Sequence, residues 1–283
     1  MKTLNKQIAG FFTLMILVLA SCAPEDTGDG SGRGCMDPAA VNYSSQSIED
    51  DGSCVTIEQK QNGLFLKYTA TWCQPCGEWG MDAFNGVYQA NKGKVLAFTV
   101  QTNDDLMTPR NEPTFTAFSS RWNYGGTPNF VVNNTLINTN YGQAAGEIAT
   151  LTAQSPTVGT NLKWTIGAGT NDGKINVNAY AKFYAQSAGE YKMGVYIIAK
   201  KLVAYQNGQG ADYEHHNVLV GFAGTDAWGE TITTTGAKAD QVFHLSYVLP
   251  LEANWNVTDL DVETVIWKKN GTGSWDFVNA STN

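Results

Sequence analysis

Ala70-Thr71-Trp72-Cys73-Gln74-Pro75-Cys76 puts two of the chain's five cysteines on either side of a Gln-Pro pair, directly after a short apolar run from Leu64 to Ala70. The run suits a buried strand. The segment after the pair, from Glu78 to Asn91, carries Met81, Phe84, Val87 and Tyr88 at the spacing of one helix face. Strand, cysteine turn and helix therefore follow one another. Such a pair can be a redox couple, half a metal site or a passive staple, and the compartment decides which readings stay open.

Outward from this point, Val95 to Val100 is nearly all apolar, as a central parallel strand covered on both faces should be. Pro113 to Trp122 reads as a helix, Phe130 to Val132 and Thr135 to Asn138 as a hairpin about Asn133-Asn134, and Ala144 to Leu151 as a closing helix. The predicted order over residues 57–153 is βαβαββα, an α/β unit.

From residue 154 to 283 the pattern changes to strands alone. Ile175, Val177, Ala179, Ala181 and Phe183 alternate with Asn176, Asn178, Tyr180 and Lys182, and Phe243, Leu245, Tyr247 and Leu249 repeat the alternation. Further strands are expected at 162–166, 191–202, 217–222 and 260–268, with turn chemistry at Asn171-Asp172-Gly173. The expectation is an all-β, immunoglobulin-like sandwich. Trp164, Trp228, Trp255, Trp267 and Trp275 are expected to fill its core rather than to form a sugar or peptide platform.

The amino terminus points to export. Lys2 and Lys6 precede an apolar run from Ile8 to Ala20, too short for a comfortable membrane span. Leu19-Ala20-Ser21-Cys22 resembles the lipobox of bacterial lipoproteins, which implies a signal peptide over 1–21 and acylation of Cys22. Residues 22–34 lack large apolar side chains and read as a flexible acidic tether. With Cys22 assigned to lipid, four cysteines remain for two intramolecular pairs. Joining Cys35 to Cys54 would stabilise the turn-rich module 35–56 by about 3 kcal/mol. Within it Glu49, Asp50 and Asp51 read as a solvated acidic turn rather than a calcium loop. A net charge of −8 argues against nucleic acid as a partner.

Disulfide exchange requires a thiolate near neutral pH, and a thiol at a helix entrance gains from unpaired backbone N–H groups. Cys73 stands at that entrance, with Pro75 suited to the first turn, so Cys73 is the expected nucleophile and Cys76 the resolving thiol. No second cysteine pair completes a zinc site, and His215 and His216 lie far along the chain; neither metal nor cofactor is expected. A passive disulfide stays open.

Residues 70–76, followed by Gly125-Gly126-Thr127-Pro128, resemble the active-site motif and cis-proline loop of the thioredoxin superfamily. The resemblance implies a cis Thr127–Pro128 bond and a substrate surface built from Trp72, Pro75, Thr127 and Pro128. Where many thioredoxins carry a buried acid five residues before the motif tryptophan, this chain has Lys67, which reaches either the pair or solvent; Glu78 is the substitute proton relay. The whole layout, with His216-Asn217-Val218-Leu219, resembles the twenty-eight-kilodalton outer-membrane protein family of Gram-negative bacteria. The expected function is exported, lipid-anchored thiol-disulfide exchange with protein thiols and disulfides or an envelope redox partner. Its expected location is the cell envelope, at the periplasmic or surface face of the outer membrane. The alternative is a non-catalytic surface lipoprotein with an inert bond and a binding or structural β unit.

Overall fold

The computed structural model describes residues 32–167 and 172–282. The signal-like run, Cys22, the tether up to residue 31 and Asn171 lie outside the described residues. β1 (Arg33–Gly34) and β2 (Glu49–Asp50) pair in parallel and frame a loop closed by the Cys35–Cys54 disulfide. Asn42 crosses this loop, donating to the Ser53 carbonyl at 2.8 Å and accepting from the Val55 N–H at 2.8 Å. A segment with little apolar surface is thus held by a covalent bond and one bridging amide.

β3 (Gly63–Thr69) follows, then the short helix α1 (Gln74–Gly77), α2 (Trp79–Ala90), β4 (Val95–Gln101), α3 (Glu112–Arg121), β5 (Asn129–Val132), β6 (Thr135–Asn138) and α4 (Ala144–Thr152). Every residue of β3 and β4 is buried, and the two run parallel in register from Gly63↔Val95 to Thr69↔Gln101. The period of two divides their side chains cleanly. Phe65 and Ala97 meet Met81 and Phe84 of α2 and Ile148 of α4, while Leu66, Tyr68, Phe98 and Val100 meet Phe118 and Trp122 at α3.

The rest of the chain is β7 (Val158–Ile166), β8 (Lys174–Phe183), β9 (Ser187–Ala188), β10 (Tyr191–Gln206), β11 (Gly210–Phe222), β12 (Glu230–Thr233), β13 (Gly236–Ala237), β14 (Val242–Pro250), β15 (Leu260–Lys269) and β16 (Trp275–Ala280). β14, β8 and β7 form one sheet. Its inner side chains, among them Val177 and Phe183, pack on Val195, Ile197 and Val262 of the facing sheet, so two sheets do stack. The fold is mostly β-sheet with a few helices.

The sheet does not break at residues 153 and 154, where the sequence pattern changes. Among the described residues one nine-stranded sheet runs β16-β15-β10-β11-β4-β3-β5-β6, with β12 joined to β10. The junction is a parallel pairing of β11 with β4 at Val218↔Thr99. Without it β4 would end the sheet as a bare apolar edge, an arrangement folded proteins avoid. Side chains reinforce the seam: Asn111 donates to the Leu219 carbonyl at 3.0 Å, Arg121 donates to the Trp275 carbonyl and pairs with Asp276, and Arg110 pairs with Glu252. The tryptophans do not fill the inter-sheet core as expected: Trp228, Trp267 and Trp275 pack on the other face of the large sheet, in the cluster that holds Phe118 and Trp122. Trp267 is fully buried against Phe118, Trp122, Trp228 and Phe277, whereas Trp164 and Trp255 pack partly buried at the edge of the inter-sheet core.

Candidate functional site

The cysteine turn sits at the carboxyl end of β3. Cys73 is the N-cap of α1 with extended backbone, and Pro75 occupies the first turn, where its missing N–H needs no partner. Cys73 and Cys76 are joined as a disulfide. Glu78 interrupts the helix at φ −87° and ψ −115°, separating α1 from α2. A helix of four residues has little dipole of its own, so local groups must set the site's electrostatics.

Thr127 and Pro128 lie against the pair. Their peptide bond is cis. The Thr127 carbonyl oxygen is 3.5 Å from Cys73 Sγ, and Thr127 Oγ1 is 3.2 Å from Cys76 Sγ while donating to the Tyr68 carbonyl at 2.7 Å. Gly80 permits this approach: a Cβ there would stand 3.0 Å from the Pro75 oxygen and 3.1 Å from Pro128 Cβ. Trp72 is 53 % exposed and its indole N–H donates to the Asn103 carbonyl at 3.0 Å. Asp104 accepts from the Thr71 N–H at 2.8 Å, and burial raises its carboxyl above the ordinary range.

Of the two readings of Lys67, the structure has the one that reaches the pair. Lys67 is wholly buried and its Nζ donates to the Cys76 carbonyl at 2.9 Å, with Met81 Sδ at 3.9 Å. Burial pulls its pKa from 10.5 to about 7, and Asp82 partly offsets that shift. Across the sheet Lys67 pairs with Thr99, and Thr69 with Gln101. These two partners are also buried, and the Thr99 hydroxyl and both amide atoms of Gln101 have no hydrogen bond among the described residues. Buried His215 bonds the Tyr205 carbonyl at 3.3 Å, and burial lowers its pKa to about 4. The pair thus rests on a buried polar floor. Glu78 is exposed and accepts from the Gln74 amide at 2.8 Å.

The tip of the β10–β11 hairpin completes the site. Gln206 Nε2 donates to the Cys73 carbonyl at 2.7 Å and to the Ala70 carbonyl at 3.3 Å. Asn207 donates from its backbone to the Thr71 carbonyl at 2.7 Å and from its side chain to the Trp72 carbonyl at 3.0 Å. The Tyr213 hydroxyl donates to the Gly77 carbonyl at 3.2 Å. Sequence reasoning did not find Gln206, Asn207 or Tyr213, because Gln-Asn-Gly between two strands carries only a turn signal. His216, the next residue along β11 and so on its opposite face, is less buried than His215; His244 stacks on Tyr180 with centroids 4.4 Å apart. Among the described residues no group of three or more His, Cys, Asp or Glu side chains could hold a metal ion.

A family model described as outer membrane protein Omp28 matches residues 115–280, more than half of the chain. The match includes the Thr127–Pro128 loop and the hairpin tip and begins after the cysteine pair. No curated protein matches the chain. Among solved structures, HBP35 of Porphyromonas gingivalis is similar with a TM-score of 0.66 and 21 % identity, over 79 % of this chain and 75 % of that one. At that identity the likeness bears on the fold alone. A crystal structure of a protein from Archaeoglobus fulgidus matches at a TM-score of 0.20 and 14 % identity, over 44 % of this chain and 94 % of that one, and carries no argument.

Proposed function

This chain belongs to the Omp28 family of outer membrane proteins, and on that premise we propose a cell-envelope protein whose Cys73–Cys76 pair exchanges thiols and disulfides with protein partners. The observation that carries the proposal is the disulfide at the entrance of α1 with Thr127 against both sulfurs. The order of β3 to α4 supports reading residues 57–153 as a thioredoxin-like unit. The stacking of β14, β8 and β7 on β10 and β15 supports a sandwich-like second part.

In the reduced protein the Cys73 thiolate attacks one sulfur of a partner disulfide, and the other partner sulfur leaves as a thiolate. Cys76 then gives up its proton and attacks Cys73 Sγ, closing the pair and releasing the second partner thiolate. Two electrons pass from the pair to the partner, and an envelope dithiol restores the pair; the reverse sequence oxidises a partner dithiol. Lys67, bonded to the Cys76 carbonyl, favours the thiolate whenever it is protonated. Trp72, exposed beside the pair, and half-buried Thr127 are the groups that would meet an extended partner chain, with buried Pro128 holding the loop.

The test is Cys76→Ser in the full chain, expressed in its own cells. Mixed disulfides should accumulate on Cys73, visible as reducible high-mass bands, and should vanish when Cys73 is also changed. A Cys76→Ser protein with no such adducts would sink the exchange reading.

A second reading has its own observation. Cys73 is only 4 % exposed, and the hairpin tip seals the backbone behind it, which suits an inert bond in a non-catalytic envelope protein. The family match speaks for this reading more directly, since it does not reach the cysteines. The potential separates the two: structural disulfides lie below about −300 mV, working pairs above.

Among the described residues no helix is long and apolar enough to cross a membrane. The lipobox-like Leu19-Ala20-Ser21-Cys22 supports attachment through an acylated Cys22. Cys22→Ser should move the protein from the membrane fraction to the soluble one. A mutant that still sediments with membranes removes the lipid anchor.

A further inference from the structure

The carbonyls of four successive residues, Ala70, Thr71, Trp72 and Cys73, all accept hydrogen bonds from Gln206 and Asn207. These carbonyls belong to the stretch of backbone that carries the nucleophile. Both sides of the contact are trimmed to fit. A Cβ at Gly77 would lie 2.4 Å from Gln206 Cγ, and one at Gly208, which has φ +82°, would lie 2.8 Å from Gln74 Cγ. Gln206 is buried, so its amide donors have no water to fall back on.

The hairpin is aimed at this place by its own backbone. Asn217 takes φ +51°, a conformation asparagine tolerates better than most side chains, and lies beside Tyr88 of α2. After Asn217, β11 pairs with β4 as well as with β10; before it, β11 pairs with β10 alone, and Tyr213 and His215 face the helices under the cysteine turn.

From this geometry we propose that Gln206 and Asn207 are positioning residues for the Cys73–Cys76 couple, holding the turn in its closed, disulfide form. The inference rests on the exchange reading for its biological use, and its test reads the couple directly. Opening the bond takes the two sulfurs from bonding distance to van der Waals contact, and the turn that carries Cys73 has to take up part of that separation. Donors fixed to four consecutive carbonyls resist that movement, so they favour the closed form over the open one.

The experiment is the thiol–disulfide equilibrium of the full-length protein against dithiothreitol, with the fraction of reduced Cys73 and Cys76 counted by mass after alkylation. The variants are Gln206→Met, which keeps the bulk and loses the donor, Asn207→Ala on the half-buried turn, the two combined, and Gly77→Ala, whose methyl wedges against Gln206. Lys201→Ala, which removes an exposed pair with Glu214 on the same hairpin, controls for loss of hairpin stability. The combined variant should be reduced about tenfold more readily than the wild type, equal to about 30 mV. Lys201→Ala and the Cys35–Cys54 bond should not change. Constants within about twofold of the wild type for all clasp variants, or a shift toward the disulfide, overturn the inference and leave the exchange reading standing. If the wild-type pair resists dithiothreitol and the variants open, the exchange reading fails and the clasp stands. If none opens, both fail. Unfolding midpoints in urea, measured alongside, identify any variant that has merely lost its fold, and the half-buried Asn207→Ala then decides.

Discussion

Replacing Trp267 with alanine should lower the unfolding free energy by about 3–5 kcal/mol, the range for large aromatic truncations in a packed core. Trp267 is fully buried and its ring meets Phe118 at 5.5 Å, Trp228 at 4.8 Å and Phe277 at 6.1 Å between centroids. Its indole N–H donates to the Tyr196 hydroxyl at 3.0 Å, which in turn donates to the Ala227 carbonyl at 2.8 Å. The residue therefore joins α3 to β10, β15 and β16, and its loss reaches both halves of the chain. Urea midpoints with an unchanged slope would measure it. Trp267→Phe should cost less, because it keeps a ring and loses mainly the hydrogen bond. A loss below about 1 kcal/mol for the alanine variant would show that the shared core does not couple the two halves.

The second large effect is a pH dependence centred on Lys67. Unfolded, its amine holds a proton up to its ordinary pKa of 10.5; folded, burial brings that down to about 7. Between those values the unfolded state binds more protons, so raising the pH stabilises the folded state, and the cost of burying the charge is complete only below about 7. The full span amounts to roughly 5 kcal/mol as an upper figure. Buried Tyr68 and Tyr196, whose pKa values burial pushes upward, work against this above about pH 10, where unfolded tyrosines ionise first. Wild-type stability should therefore climb from about pH 7 to about pH 9.5, and Lys67→Met should flatten the climb. Urea midpoints for both proteins at those two pH values check it; parallel profiles would mean that Lys67 titrates normally. On the acid side His215, held near 4 by burial, adds a loss of stability as the pH falls from 6.5 toward 4.

Much of the first half of the chain was legible because its apolar periodicities are strong. The strand expected at Val95 to Val100 is β4, Val95–Gln101, and the helix expected at Pro113 to Trp122 is α3, Glu112–Arg121. The loop Gly125-Gly126-Thr127-Pro128 was equally readable, since two distant motifs must meet for it to matter. The joining of β11 to β4 was not readable. Strand pairing is made by backbone groups, and the apolar run Val218-Leu219-Val220 reads alike whether its neighbour is β10 alone or β10 and β4 together. β16, Trp275–Ala280, also went unforeseen, because Asp276 and Asn279 interrupt its apolar pattern. Lys67 in an apolar strand left two outcomes open. Burial won because β3 is central and the Cys76 carbonyl offers the amine a partner.

The pairing of Thr99 with Val218 also sets a schedule for biosynthesis. A chain made from its amino end completes Val95–Gln101 long before Val218 exists, and until then that strand offers an open, apolar edge to any neighbouring polypeptide. The closing contact spans a long loop, and folding rates fall as such distant contacts come to dominate. The nascent protein therefore passes through a period of aggregation risk that ends only when the β10–β11 hairpin arrives. Holdase binding to stalled chains should be strongest for those ending between Gln101 and Val218, and should fall away once β11 is complete.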